Sequence, residues 1–259
     1  MSIEKSLEPI RRTAIVTGAS AGIGRAIAIA LGARGWTLAL GARRVDALEE
    51  TANAVREAGG SAFCCHLDLA DDASISKFFF NTKAAIGSID VLINNAGATT
   101  PSPLLELTRE QFRSTLEVNL LGPISLTQHL ISDWQQLEHR GTIIFISSEH
   151  VRTEFPHLLH YGASKIAMEF VARGLRRELH EHPIRIGIVR VGATDTEFRF
   201  NFSAEQASKM VQMWAKTGVP TPTQKRMTAA EVAEVIAFAI MAGPSVNIDC
   251  IDLHPSFTL

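Results

Sequence analysis

The chain has 259 residues, 46% of them hydrophobic and 20% charged, enough for one large α/β domain or two small ones. That balance excludes disordered, collagen-like and fibrous classes. With 25 Lys and Arg against 27 Asp and Glu the net charge is −2, so no basic field exists to hold nucleic acid or anionic lipid as a main task. The aromatic content is lopsided: thirteen Phe and three Trp stand beside a single tyrosine, Tyr161.

Strand-like and helix-like segments alternate along nearly the whole chain. TAIVTG (13–18) reads as a short buried strand, and GIGRAIAIALGARG (22–35) as a helix closing on Gly35. A strand follows at 36–43, an amphipathic helix at 46–60, a strand in SAFCCHLDL, a helix from about Asp71 and a strand in IDVLINNAG (89–97). A long helical stretch covers about 108–138, then the strand GTIIFISS (141–148), a helix from about Tyr161 to His182 and the strand 183–191. A helix at Ala229–Met241 and a strand at 247–253 complete the pattern. Seven strands separated by helices predict a parallel sheet covered on both faces, and the glycine loop after the first strand favours the doubly wound Rossmann arrangement. With no linker or repeat to divide it, residues 1–259 are expected to form one domain, with 1–11 as an N-terminal extension.

Cys64, Cys65 and Cys250 are an odd number without CxxC or zinc-ligand spacing, and are expected to be small buried side chains in a reducing compartment. No metal site is expected. The first twelve residues lack a signal-peptide core and no apolar run is long enough to span a bilayer, so a soluble cytoplasmic protein is expected.

The first strand runs into TGASAGIG, carrying Gly18, Ser20, Gly22, Ile23 and Gly24. Glycine there permits a tight turn and close approach to a pyrophosphate, which the N-terminus of the next helix would attract. Placed between strand one and helix one, the loop predicts a dinucleotide site. An Asp or Glu ending the second strand would bind the ribose 2′-hydroxyl of NAD. This chain instead reads LGARR, with no acid before Asp46, and Arg43 and Arg44 can pair with a 2′-phosphate. NADP(H) is therefore expected in preference to NAD(H).

Tyr161 and Lys165 stand four residues apart in YGASK, on one helix face. A phenol ionises near pH 10, and bringing that to about 7 takes roughly 4 kcal/mol. One cation at about 4 Å and an effective dielectric near 20 supplies on the order of 4 kcal/mol, so Lys165 is expected to lower the tyrosine pKa. Ser148 ends the strand GTIIFISS, at the side of a doubly wound sheet that faces the ligand crevice. Its hydroxyl could hold a substrate oxygen while the tyrosine exchanges a proton.

These motifs, in this order, resemble the classical short-chain dehydrogenase/reductase family over roughly residues 11–253. The resemblance implies that TGASAGIG is the cofactor loop, and that Asp68, with Leu69 in HLDL, borders the adenine. It implies that NNAG, with Asn95, Ala96 and Gly97, stabilises the central sheet beside the cofactor. By the same resemblance Asn119 would anchor a water in a proton relay to Lys165. Tyr161 would be the general acid/base, Lys165 would also hold the nicotinamide ribose, and Ser148 would polarise the substrate oxygen. The implied activity is interconversion of a carbonyl and a secondary alcohol, and homotetramers or dimers are implied as well.

Two departures stand out. RVGATDTEF has Val191 where the family usually has proline, while Gly192, Thr194 and Thr196 remain for nicotinamide contacts. Ser148 is followed by EHVRTEF, whose Glu149, His150 and Arg152 could shape substrate choice or form a solvated loop. His150, His157 and His160 read as loop and surface residues.

Residues 193–226 fall where the family's substrate loop lies, and carry Phe198, Phe200, Phe202, Met210, Met213 and Trp214, as a lid over the crevice or a helix pair packing on the domain. The ending NIDCIDLHPSFT looks like a subset that includes dehydrogenases of 3-hydroxy acids, whose carboxylate would need a cation such as Arg152 or Arg199. Ile166, Phe170 and Leu175 suit a subunit contact or a buried helix. A dinucleotide-binding regulatory protein without turnover is the alternative class.

Overall fold

The structure, a computed structural model, describes residues 12–196, 204–219, 226–243 and 245–256. β1 (Thr13–Thr17) is apolar and wholly buried, and α1 (Gly22–Gly32) follows the glycine loop. The helix stops where the sequence predicts: Gly35 is left-handed at φ 75°, and the N–H of Trp36 returns to the carbonyl of Leu31. Next come β2 (Thr37–Ala42), α2 (Val45–Glu57), β3 (Ser61–His66), α3 (Asp72–Ile86) and β4 (Val91–Asn94).

The long helical stretch is two helices joined through a π turn. α4 (Arg109–Leu116) opens on a Thr108/Gln111 capping box and passes through Glu117–Leu121 into α5 (Gly122–Gln136). Pro123 has no N–H to offer the carbonyl of Asn119 four residues back, and across this break the Gly122 N–H bonds to the Glu117 carbonyl. β5 (Gly141–Ser148) leads through a 3-10 turn (Glu149–Val151) to α6 (Leu159–Glu178) and β6 (Ile184–Val191). After two-residue β7 (Thr194–Asp195) come α7 (Ala204–Lys216), β8 (Met227–Thr228), α8 (Ala229–Met241) and β9 (Cys250–Leu253).

The main sheet has seven strands, all parallel, in the order β3-β2-β1-β4-β5-β6-β9. Order reverses between β1 and β4, the position at which doubly wound sheets open a crevice at the strands' C-terminal ends. One apolar layer, with Ile27, Leu31, Leu48 and Ile236, fills the face under α1, α2 and α8. A second, with Phe78, Leu130, Trp134 and Met168, fills the face under α3, α5 and α6. This is the Rossmann-like arrangement expected from the alternation of segments.

The cysteines depart from expectation. Cys64 and Cys65 are only half-buried and Cys250 is exposed, because β3 and β9 are the two edge strands. Among the described residues no helix is long and apolar enough to cross a membrane, and no group of three or more His, Cys, Asp or Glu could hold a metal ion.

Candidate active site

A cavity of about 810 Å3 opens at the C-terminal ends of the central strands. One end is bounded by Gly18, Ser20, Gly22 and Ile23, with Arg43, Arg44, Asp68 and Leu69 beside them. Asn95, Ala96 and Gly97 form the middle, and Gly192, Thr194 and Thr196 the far side. Ser148, Tyr161 and Lys165 stand on the opposite wall.

Packing explains the glycines. A Cβ on Gly24 would lie 2.4 Å from the Gly18 carbonyl oxygen, and one on Gly18 2.9 Å from the Ala96 Cα. Only bare backbone lets the loop lie this close to the NNAG segment. Thr17 secures that segment: its hydroxyl accepts from the N–H groups of Asn95 and Ala96, while the Asn95 amide donates to the Thr17 carbonyl at 2.8 Å. α1 begins without a side-chain cap and without an acid in its first turn, so its leading N–H groups and dipole suit an anion. Glycine cradle, uncapped helix and cavity together fit a dinucleotide. Arg43 and Arg44 are both exposed at its rim, and Arg44 donates to the Ser20 hydroxyl at 3.2 Å.

Asn119 is fully buried in the π turn. Its side chain accepts from the Ala98 N–H at 2.7 Å and donates to the Ala98 carbonyl at 2.9 Å and the Ser164 hydroxyl at 3.1 Å. It thus ties the chain after NNAG to α6. Gly97 lies between the Asn119 side chain and the Lys165 ammonium: a Cβ there would be 3.5 and 3.7 Å from them.

Ser148 and Tyr161 are both buried on the cavity wall, with the Ser148 hydroxyl placed to favour the charged form of the phenol. The adjacent Ser147 turns to the other side of β5 and bonds to Glu169, so pleating assigns the two serines different partners. The Lys165 Nζ donates to the Ile146 carbonyl at 2.9 Å and lies 5.8 Å from the centroid of the Tyr161 ring.

The protonation balance corrects the expectation from spacing. Burial pushes the Tyr161 phenol up to about 12, with the Ser148 hydrogen bond acting downward and the Glu149 charge upward. Lys165 is not what moves it. Burial brings Lys165 itself down to about 8 against the raising influence of Glu169, and its ammonium is turned toward the strand carbonyl. At neutral pH the phenol is therefore protonated and the lysine still carries its charge.

The segment after Ser148 divides. Glu149 and His150 line the cavity, whereas Arg152 points away and pairs with Asp252 at 3.1 Å. Burial raises the Glu149 carboxyl, with His254, 4.0 Å away, opposing. Two histidines expected at the surface are not there. His160 is 1% exposed and bonds to the Thr99 hydroxyl at 3.0 Å, and His150 bonds to Ser148. Neither had a periodic or spacing signal to reveal it.

Beside Tyr161, α7 supplies Met210 and Trp214, which pack with Phe155, Leu158 and Tyr161. The Trp214 indole donates to the Pro156 carbonyl at 3.0 Å, and its ring meets Phe155 edge-on at 5.0 Å. Met213 is half-buried against the same cluster. Phe198, Arg199, Phe200 and Phe202 lie outside the described residues. Val191, in place of the family's proline, uses the freedom of a β residue: it closes β6 against Leu253 of β9, and Gly192 donates its N–H to the Leu253 carbonyl.

Comparisons with known proteins agree with this architecture. The family model described as short chain dehydrogenase matches residues 12–207. The chain is 31% identical to dehydrogenase/reductase SDR family member 11 of Gallus gallus, over 95% of this chain and 96% of that protein. Among solved structures it is similar to an alcohol dehydrogenase from the archaeon Thermococcus sibiricus complexed with 5-hydroxy-NADP, at 29% identity and a TM-score of 0.79, covering 95% of this chain and 97% of the other. It is also similar to the closed form of serine dehydrogenase complexed with NADP+, at 25% identity and a TM-score of 0.82, covering 94% of each chain. The protein belongs to the short-chain dehydrogenase family of oxidoreductases.

Proposed function

We propose that the protein is an NADP(H)-dependent oxidoreductase that interconverts a carbonyl and a secondary alcohol. The observation that carries this reading is the meeting of Ser148, Tyr161 and Lys165 on one wall of the cavity that begins at the glycine loop. Bound there, the nicotinamide supplies the hydride chemistry. Gly18, Ser20, Gly22, Ile23 and Gly24 would hold the pyrophosphate region, with Asp68 and Leu69 beside the adenine. Asn95, Ala96, Gly97, Gly192, Thr194 and Thr196 would hold the nicotinamide half.

Tyr161, protonated at neutral pH, donates its proton to the carbonyl oxygen in reduction, while the Ser148 hydroxyl hydrogen-bonds to that same oxygen. The phenolate left behind forms beside the Lys165 cation and in contact with Ser148, which limits its cost in a buried site. Asn119 keeps the Ala98 segment against α6, holding the distance between cofactor cradle and Tyr161. Phe155, Met210 and Trp214 favour a substrate with an apolar body. Of the two cations named for the carboxylate of a 3-hydroxy acid, Arg152 pairs with Asp252 and Arg199 lies outside the described residues.

The direct test is a screen of NADPH oxidation and NADP+ reduction over ketones, aldehydes, 3-hydroxy acids, sugars and steroids, with Tyr161→Phe as blank. Dinucleotide binding without turnover of any of them would favour the regulatory class instead. For cofactor choice, the exposed Arg43 and Arg44 and the absence of an acid at the end of β2 support NADP(H), as do the NADP-bound relatives. Losing a charge-assisted bond costs about 1.5–3 kcal/mol. Arg44→Ala should therefore weaken NADPH binding about tenfold or more in fluorescence titrations and leave NADH nearly unchanged. Equal weakening of both would remove the 2′-phosphate argument.

For assembly, Ile166 and Phe170 expose 50% and 71% of their surface on α6, whereas Leu175 packs on the core. Large apolar groups displayed together favour a dimer or tetramer through this helix. Phe170→Glu is expected to shift sedimentation toward the monomer; an unchanged profile would place the contact elsewhere.

A further inference from the structure

We propose that His150 is a positioning residue that holds Ser148 as a one-way hydrogen-bond donor, so that the serine proton always faces Tyr161 and the substrate oxygen. The proposal rests on the reading of Ser148 and Tyr161 given above, and adds a residue that lies outside the motif.

β5 ends at Ser148 in extended conformation, and the 3-10 turn folds the chain back so that the His150 Nδ1 comes 2.8 Å from the Ser148 Oγ. The imidazole is fixed on two sides. It stacks on Phe155 at 4.1 Å between centroids and meets Tyr161 edge-on at 5.2 Å. Gly162 lets α6 approach this turn, since a Cβ there would lie 3.2 Å from the His150 carbonyl oxygen. The other ring nitrogen, Nε2, is buried and has no hydrogen-bond partner among the described residues.

That orphan decides the tautomer. Among the described residues, the charged or titratable groups beside it on the cavity wall include Glu149 on the same turn and Tyr161 and Lys165 on α6. Burial, and then the Lys165 charge, lower the ring to about 4, so it is neutral and carries one N–H. If Nε2 held the proton, a buried N–H would face no acceptor, and Ser148 would have to commit its only proton to Nδ1. If Nδ1 holds it, the ring donates to Ser148 and the orphan is merely a lone pair. Buried N–H groups without acceptors are the rarer and costlier case.

With Nδ1 protonated, the Ser148 oxygen accepts from the ring N–H and from the His150 backbone N–H at 3.4 Å. Both lone pairs are then engaged, leaving the hydroxyl proton to turn toward Tyr161, whose charged form the serine favours. A hydroxyl that accepts such bonds is also polarised toward stronger donation. Ser148 cannot turn round and accept the tyrosine proton, so that proton is reserved for the substrate oxygen.

Protein labelled with 15N-histidine tests the tautomer without any substrate. The His150 signals are assigned as those missing from His150→Phe. Protonation on Nδ1, with a shift of that nitrogen in Ser148→Ala, is expected; protonation on Nε2 overturns the proposal. Kinetics with NADPH and the ketone or aldehyde turned over fastest in the screen above give a second readout. His150→Phe keeps a ring to stack on Phe155, and should lower kcat about tenfold with little change in KM. His150→Asn, which returns an amide N–H near the position of Nδ1, should recover most of that loss. In a Ser148→Ala background His150→Phe should cost nothing further, because its effect passes through the serine. A full additional loss in that background, or unchanged turnover in His150→Phe, refutes the positioning role. Turnover by Tyr161→Phe would instead refute the reading beneath it, and is distinguished by that variant alone.

Discussion

Tyr161→Phe is expected to lower turnover by a factor of about 10²–10⁴, the range contributed by a positioned general acid. The exchange removes one oxygen and leaves the ring, so the edge contact with His150 and the packing against Phe155, Leu158 and Trp214 should persist. Folding is therefore preserved, and NADPH affinity should change little because most of the cofactor cradle is the glycine loop and NNAG segment. Ser148 keeps its bonds to His150. Single-turnover measurement of NADPH oxidation, paired with a fluorescence titration of NADPH, separates chemistry from binding. Retention of more than about a tenth of the wild-type rate would be incompatible with the acid role. Because the chain has one tyrosine, near-ultraviolet titration reads this phenol alone. Its ionisation is expected well above pH 10, near the value of about 12 set mainly by burial.

Glu169→Ala is expected to give the largest loss of stability, about 3 kcal/mol or more, as when one partner of a buried ion pair is removed. The carboxylate is 4% exposed and lies behind β5 and β6. It accepts from the Ser147 hydroxyl at 2.7 Å, from the Arg190 Nε at 2.8 Å and from the Arg190 Nη2 at 2.7 Å, with Arg173 at 3.5 Å. Removing it strands Arg190, itself only 16% exposed, with the weaker Asp252 contact at 3.4 Å. Burial alone would raise the carboxyl, but hydrogen bonds from Arg190 and Ser147, then the charges of Arg190 and Arg173, carry it below its ordinary value. A depressed carboxyl stabilises the fold above its unfolded pKa of about 4.3, and that contribution is lost as pH falls through the lower folded value. The difference between wild type and Glu169→Ala in urea unfolding should thus be full at pH 7 and shrink below about pH 4. A gap that stays constant into acid would show that packing, not the ion pair, sets the loss. The cluster also bears on the site, since Glu169 lies one turn beyond Lys165 and Ser147 precedes Ser148. It fastens the strand carrying the serine to the helix carrying the tyrosine.

How much of this could be read before folding differs from residue to residue. The glycine loop was legible because its constraint is local: a strand, a turn without side chains and a helix N-terminus follow one another in the chain. Tyr161 and Lys165 were legible because helix periodicity places them on one face, and Ser148 because a strand end is a position along one segment. The end of α1 at Gly35 and the alternation that produces the seven-stranded sheet belong to the same kind of signal.

The order of strands, the reach of His150 to Ser148 and the Glu169–Arg190 pair depend on elements that meet across the fold. So does the exposure of Cys250, which follows from β9 being an edge strand. The protonation of Tyr161 is the clearest case. Spacing placed a cation beside a phenol and predicted a lowered pKa. Only the tertiary structure decided the sign, because removal of the phenol from water outweighs the lowering influence of Ser148 and the lysine is drawn to the Ile146 carbonyl. The amino-acid order by itself determined which residues face one another within a strand or helix. Folding decided their solvent and partners, and it is the solvent that sets the charge of a buried phenol.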